Sequence, residues 1–154
     1  MNLYSIDTSA LVDGMNRYYR PIVFRSLWER IDQLIEDGRA IATEEVRVEI
    51  ERKEDRLAEW CKQHDKMFVA IDEAIQPVVT EILTAHRALV KELANRSTGD
   101  PFVIALAKVK GAIVLTGERP SQSLGKPRIP DVCDAMGIRW MSLMDMMEAE
   151  GWSF

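Results

Sequence analysis

The sequence predicts an α/β domain: three layers, α/β/α, around a mostly parallel central sheet. Short apolar runs alternate with amphipathic stretches along the chain, the order expected of strands joined by helical crossovers. Several of the runs, such as AIVL at 112–115, are continuously apolar rather than alternating, as strands covered on both faces must be. At 154 residues the chain fits one domain, residues 1–154, with a single core.

The elements follow in order. Residues 3–6 form the first strand. Arg20 and Pro21 precede a helical stretch over 22–37, where Phe24, Leu27, Trp28, Ile31, Leu34 and Ile35 recur at three- and four-residue steps. Gly38 ends it. RAIA (39–42) is a short strand, and Thr43 caps the next helix, with Glu44 and Glu45 at its positive end. That helix is expected to carry Val46, Ile50, Leu57 and Trp60 on one side. MFVAID (67–72) reads as a third strand. A long helix follows over about 72–95, with Pro77 in its first turns. NRSTG (95–99) is a loop, and Asp100-Pro101 opens the helix FVIALAKVK, which Gly111 ends. AIVLT is a buried strand, GERPSQSLGKPRIP (117–130) a loop, GIRWMS (137–142) a last strand and LMDMMEAE (143–150) a last helix.

Bulk properties narrow the function. The formal net charge is −5, which argues against a protein that grips nucleic acid by general electrostatics. No apolar run is long enough to span a bilayer. The first residues lack the pattern of a secretory signal, and Cys61 and Cys133 do not suggest a disulfide framework, so a cytoplasmic location is expected. The chain has no Walker A loop, no G-x-G-x-x-G after the first strand and no serine-hydrolase elbow. A dehalogenase-type phosphatase would need a second aspartate where Ser9 stands.

One position is out of keeping with a core strand. The first strand ends on Asp7, followed by the hydroxyls of Thr8 and Ser9. In open parallel sheets, ligands bind beyond the carboxyl ends of the strands, where the strand order reverses. Thr116, Gly117 and Glu118 also follow a strand, and if the two strands are neighbours their acids converge. With Glu49 and Asp100, both early in helices, Asp7 and Glu118 make a set of four carboxylates. Gathered in a low-dielectric cleft they repel one another unless a cation is present, and a hard divalent ion, Mg²⁺ or Mn²⁺, is the simplest resolution.

Three segments carry a resemblance: SIDTSALV (5–12), EVRVEI (45–50) and above all GDPFVIALA (99–107). Together they are similar to the PIN-domain nucleases. The third matches the D-x-x-I/V-A-x-A pattern, with its small residues one step later than usual. IVLTGE resembles the fourth acidic position, where aspartate is more common. SLWERI, DPFVIALAK and IPDVC (129–133) resemble a little-characterised branch of that family, and the resemblance covers nearly the whole chain.

The resemblance implies a PIN-like fold and a Mg²⁺- or Mn²⁺-dependent endoribonuclease of the VapC-like kind, the toxin of a toxin–antitoxin pair. Carried over, Asp7, Glu49, Asp100 and Glu118 are the catalytic acids, with Asp7, Asp100 and Glu118 as metal ligands. Thr8, Ser9 and Thr116 support them, and Asp131 in IPDVC substitutes for Glu118 or supplements it. The implied partners are an RNA substrate, a cognate antitoxin, and a second copy in a homodimer using exposed apolar residues of an early helix such as Trp28. Arg17 and Arg20, with Tyr18 and Tyr19 between them, form one RNA-contact stretch, and Lys126 and Arg128 a second.

Plainer readings stand beside these. Asp100 suits a helix N-cap as well as a ligand. Glu45 lies one helical turn from Glu49 and competes for its role. Glu118 reads equally as a loop acid. Cys61 and His64 lack the second ligand pair of a zinc site, and Cys133 lacks an activating base. The alternative function is a catalytically weak PIN-like module that binds a partner protein.

Overall fold

The computed structural model describes residues 1–93, 100–123 and 125–154. Its sheet has five strands, β1 (Tyr4–Ile6), β2 (Ala40–Thr43), β3 (Phe68–Val69), β4 (Ile113–Leu115) and β5 (Trp140–Met141), in the order β3-β2-β1-β4-β5, and every pairing is parallel. The expected α/β architecture is therefore the one observed. The chain leaves β1 for β2 on one side and later returns to β4 on the other, so the order reverses between β1 and β4.

Helices α1 (Thr8–Val12), α2 (Arg25–Glu36), α3 (Glu44–Glu51), α4 (Arg56–Lys62), α5 (Gln76–Ala85), α6 (Arg87–Leu93), α7 (Asp100–Lys110), α8 (Ile129–Met136) and α9 (Leu143–Ala149) complete the described residues. Ser5 Oγ donates to the carbonyl of Val103 at 2.8 Å, which fixes α7 against one sheet face. Ile6 and Leu115 point to the opposite face, into a buried region shared with Trp28, Ile31, Leu34 and Met146 of α2 and α9. Because α7 is covered by the sheet, α5 and α8, it is buried almost throughout, including Val103, Ile104, Ala105 and Leu106 at 0% exposure.

Several expectations meet their elements. Thr43 Oγ1 accepts the Val46 N–H, Pro77 lies in the first turn of α5, and Gly38 and Gly111 adopt positive φ of 72° and 68° at helix ends. Other elements differ. The helix expected to run from Val46 to Trp60 is two, because Glu54 turns at φ 46° and Asp55 caps a new helix by accepting the Leu57 and Ala58 N–H groups, each at 3.1 Å. The long helix is also interrupted, at His86 (φ −126°, ψ 58°), and its expected end at residue 95, like the loop 95–99, lies outside the described residues. The loop assigned to 117–130 gives way to a helix, α8, whose start carries Pro130 and Asp131 and whose end carries Gly137 at φ 68°.

Trp28, expected on an exposed face serving a homodimer, is only 5% exposed. It packs edge-on against Trp60 at 5.4 Å and donates its indole N–H to the Tyr19 carbonyl at 2.6 Å, so it is a core residue.

Candidate functional site

Asp7 sits where the order of the sheet reverses. Its N–H donates to the Leu115 carbonyl at 2.8 Å, extending the β1–β4 ladder one residue beyond Ile6. The backbone then turns into α1, and Asp7 occupies the N-cap position at φ −83°, ψ 150°. An aspartate there usually accepts a helix N–H, yet this side chain makes no cap hydrogen bond. Its Oδ2 instead accepts from the hydroxyl of Ser9 and, at 3.2 Å, from that of Thr116 just after β4. Residues 5 and 7 share one side of their strand and 114 and 116 one side of theirs, which is how side chains 109 positions apart meet on the α7 face.

The hydroxyls form a web. Ser9 Oγ and Thr116 Oγ1 are 3.2 Å apart; Gly117 N–H donates to Ser9 Oγ at 2.9 Å, and Glu118 N–H to Thr116 Oγ1 at 3.0 Å. Thr8 reaches the other way and donates to Glu49 Oε2 of α3 at 3.1 Å. The Asp7 carboxylate is 3% exposed. Burial, followed by the negative charges of Glu118 and Glu49, pushes its pKa up to about 7 from an ordinary 3.8, against the lowering effect of the two hydroxyls. Asp7, Glu49 and Glu118 thus bring negative charge together here.

Asp100 begins α7 and is 6% exposed. The Ser5–Val103 hydrogen bond sets its level. Three helical residues back from Val103 is about 4.5 Å, and two strand residues on from Ser5 is roughly 6.6 Å, so Asp100 and Asp7 lie at the same end of the sheet and on the same face. Even so, among the described residues no three histidine, cysteine, aspartate or glutamate side chains stand close enough together to hold a metal ion.

Glu118 and Asp131 have structural work at the start of α8. Glu118 Oε2 accepts the Ile129 N–H at 2.9 Å. Asp131 accepts from Ser121 N, Ser121 Oγ, Gln122 N and Arg128 N at 2.8–2.9 Å, clasping the loop after β4 onto the helix. Burial alone would raise the Asp131 carboxyl, but these hydrogen bonds outweigh it and hold the pKa below the ordinary value. Asp131 is consequently tied to loop closure rather than turned toward Asp7.

The basic residues read from sequence lie on the surface. Arg17, Arg20, Lys126 and Arg128 are exposed, Arg17 pairs with Asp13 at 3.2 Å, and Arg20 Nε donates to the Asn16 carbonyl. His64 faces Asp32 at 2.9 Å through Nε2 and the Trp60 carbonyl at 2.7 Å through Nδ1, stacked on the Trp60 ring. Cys61 and Cys133 are free and buried; burial pushes the Cys61 thiol up to about 12 and raises that of Cys133 as well, so neither is a nucleophile.

One carboxylate escaped the sequence reading. Asp13 opens a six-residue π-helical turn, Asp13–Tyr18, that continues α1, and its carboxylate packs against Gly117. The signal was its place one helical turn after Ser9, within the helix that Asp7 begins. Asp13, Thr116, Gly117 and Glu118 share a cleft of about 480 Å³ with Tyr18 and Trp140.

Residues 4–154 match the family described as a domain of unknown function, DUF4411. The chain belongs to that family. No curated protein matches it. Among solved structures, the DNA-bound VapBC of Salmonella typhimurium aligns over 92% of this chain and 98% of its own at 16% identity, TM-score 0.54. VapBC2 of Rickettsia felis, bound to a promoter DNA fragment, aligns over 91% and 98% at 11% identity, TM-score 0.52. FitAcB of Neisseria gonorrhoeae aligns over 90% and 96% at 15% identity, TM-score 0.52. At such identities the likeness is one of fold, and this DUF4411 chain has the PIN-domain fold. Among the described residues no helix is long and apolar enough to cross a membrane.

Proposed function

We propose that this protein is a divalent-metal-dependent endoribonuclease acting at the Asp7 end of the sheet, and that it works as the toxin partner of a cognate antitoxin. The observation that carries the reading is the meeting of Asp7 with Ser9 and Thr116 at the β1–β4 reversal, a buried carboxylate held by two hydroxyls beside Glu49 and Glu118. The donor set fits Mg²⁺ or Mn²⁺. It is all oxygen and carries carboxylates, and such ions keep several waters and take only one or two carboxylates from the protein. Asp7 would hold the ion together with waters, joined by no more than one of Asp100 and Glu118. When bound, a hard divalent ion supplies charge neutralisation at the phosphodiester and acidifies water.

The chain's own residues prepare that chemistry. Ser9 and Thr116 fix Asp7 through Oδ2 and so set the orientation in which the carboxylate meets a cation. Thr8 orients Glu49, whose carboxylate can accept a proton from an attacking water. The clasp by Asp131 holds the loop bearing Glu118 beside the site. Single-stranded or looped RNA suits an open site of this kind, since its phosphates and bases are accessible.

An antitoxin is supported by the solved neighbours, VapBC and FitAcB assemblies. A basic residue from such a partner could offset the Asp7, Glu49 and Glu118 charges in place of a metal. One observation favours a second reading, a weak PIN-like module acting by partner binding: Glu118 accepts the Ile129 N–H and so serves to start α8.

RNA-end mapping after pulsed expression, with purified protein assayed in Mn²⁺ and in EDTA, tests the proposal. Cleavage by wild type that vanishes in EDTA and in Asp7→Asn supports the nuclease. Equal turnover by wild type and Asp7→Asn, or none by either, leaves the binding module.

A further inference from the structure

Next to the Asp7 web, the cleft of about 480 Å³ is built differently from the acidic site. Its polar floor is the Asp13 carboxylate with Thr116 and Gly117, and two aromatic side chains, Tyr18 and Trp140, line it from separate elements. Tyr18 is 63% exposed and rests edge-on against the Tyr19 ring at 6.3 Å, so most of its surface is open to the cleft and solvent. Both flanks are set in advance. The Trp140 indole N–H is tied to Asp134 at 2.9 Å, and the backbone just after Tyr18 is held by Trp28 through the Tyr19 carbonyl at 2.6 Å. The π-helical turn that carries Asp13 and Tyr18 is a rare geometry that gathers at functional sites.

The cleft is also lined by Glu118, Asp145 and Arg119; three carboxylates to one guanidinium disfavour a phosphate, whereas a flat base bearing N–H donors would be attracted to Asp13. We infer that this cleft is a base-recognition subsite for an unpaired guanine adjoining the scissile phosphate, with Asp13 as its specificity residue and Tyr18 and Trp140 as stacking surfaces. The inference rests on the nuclease reading for its substrate class. Guanine is the base whose Watson–Crick edge offers two neighbouring donors, the ring N–H and the exocyclic amine, to one carboxylate. Adenine and cytosine set an acceptor nitrogen beside their amine, and uracil flanks its single N–H with two carbonyls, so each brings a lone pair against the carboxylate. One Asp13 oxygen takes Arg17 at 3.2 Å, and a carboxylate with about four acceptor sites has capacity for two more donors.

Fluorescence anisotropy tests this with 5′-labelled oligouridylates carrying one central guanosine, inosine, adenosine or uridine, bound to the full-length protein in EDTA. Wild type should prefer the guanosine strand over all-uridine by about tenfold and lose much of that preference with inosine, which lacks the amine. Asp13→Asn should bind all strands without the guanosine preference, and Tyr18→Ala should weaken all of them together. Equal wild-type binding of the guanosine and uridine strands, or an unchanged preference in Asp13→Asn, overturns the subsite. The readout needs no turnover. RNA cleavage without guanosine preference would sink this inference alone, and guanosine-selective binding without any cleavage in Mn²⁺ would sink only the nuclease.

Discussion

The Asp13 carboxylate occupies the space in which a side chain on residue 117 would begin. A Cβ added to Gly117 would lie 2.1 Å from Asp13 Oδ2, 3.0 Å from its carboxyl carbon and 3.1 Å from the Ser9 carbonyl. No rotation of the new methyl relieves this, so the Asp13 side chain must leave its pairing with Arg17, or the π-helical turn or the loop after β4 must shift. Gly117→Ala should therefore cost about 1–3 kcal/mol by overpacking and disturb the Ser9–Gly117 hydrogen bond that steadies Asp7. Gly125→Ala is the control, because its Cβ would meet only Ser123 Oγ at an ordinary 3.5 Å. Urea melts of both variants check the contrast; equal midpoints would show that the Asp13 contact yields freely.

Asp7 makes stability depend on pH in the direction opposite to a typical aspartate. Its pKa is about 7 in the folded protein and near 3.8 when exposed, so between those values the folded chain binds the extra proton. Stability from this group is thus lost as pH rises from about 4 through 7, by an amount on the order of 4 kcal/mol at its upper limit. Asp7→Asn removes the cost, and its melting temperature should exceed that of wild type at pH 8 and differ little at pH 4. Mn²⁺ should raise the wild-type value at pH 8 and leave Asp7→Asn unmoved. Parallel pH profiles for the two proteins would contradict the buried, uncompensated carboxylate.

Glu49 and Glu45 are not separated by spacing along their helix, and hydrogen bonding supports Glu49. Thr8, one residue after Asp7, donates to Glu49 at 3.1 Å, and the Glu49 charge is felt at Asp7. Glu49→Gln should lower RNA turnover roughly a hundredfold while melting near the wild-type temperature, and Glu45→Gln should leave turnover within about twofold. A larger loss from Glu45→Gln in the same metal-dependent assay would reverse the assignment.

These cases mark what the sequence made legible. The parallel sheet needed only the alternation of apolar runs and helices, whereas the pairing of β1 with β4 is decided by the fold; Asp7 stands out because an acid ending a core strand demands a reason. Thr43, Pro77 and Gly38 were readable because capping, proline and left-handed glycine act within one turn. Asp13 and the Asp131 clasp were not, since the first depends on a π-helical turn and the second on a loop folding back ten residues to meet a carboxylate. Helix α8 was missed for a different reason: Pro130, Asp131 and Gly137 are proper start and stop signals, but the turn-rich stretch before them dominated. Trp28 illustrates the remaining gap. An apolar helix face is legible, whereas whether the sheet or a second copy covers it is decided by tertiary packing.

The Asp131 clasp offers a test of how the loop after β4 is held in place. Its carboxylate takes four donors from Ser121, Gln122 and Arg128, and its lowered pKa means that this contribution is present above ordinary carboxylate pH and fades as acid protonates the group below it. Asp131→Ala strands three backbone N–H groups and one hydroxyl at the start of α8, at a cost of about 2–4 kcal/mol. Asp131→Asn keeps the acceptor oxygen but turns an amide toward donors, and should recover only part of the loss. Because Glu118 rides on the same loop and reaches Ile129, limited proteolysis should cut Asp131→Ala within residues 117–128 faster than wild type, with turnover falling alongside. If the loop stays resistant and turnover holds, Glu118 is kept in position by its own contact with α8, and the clasp is confined to capping the helix.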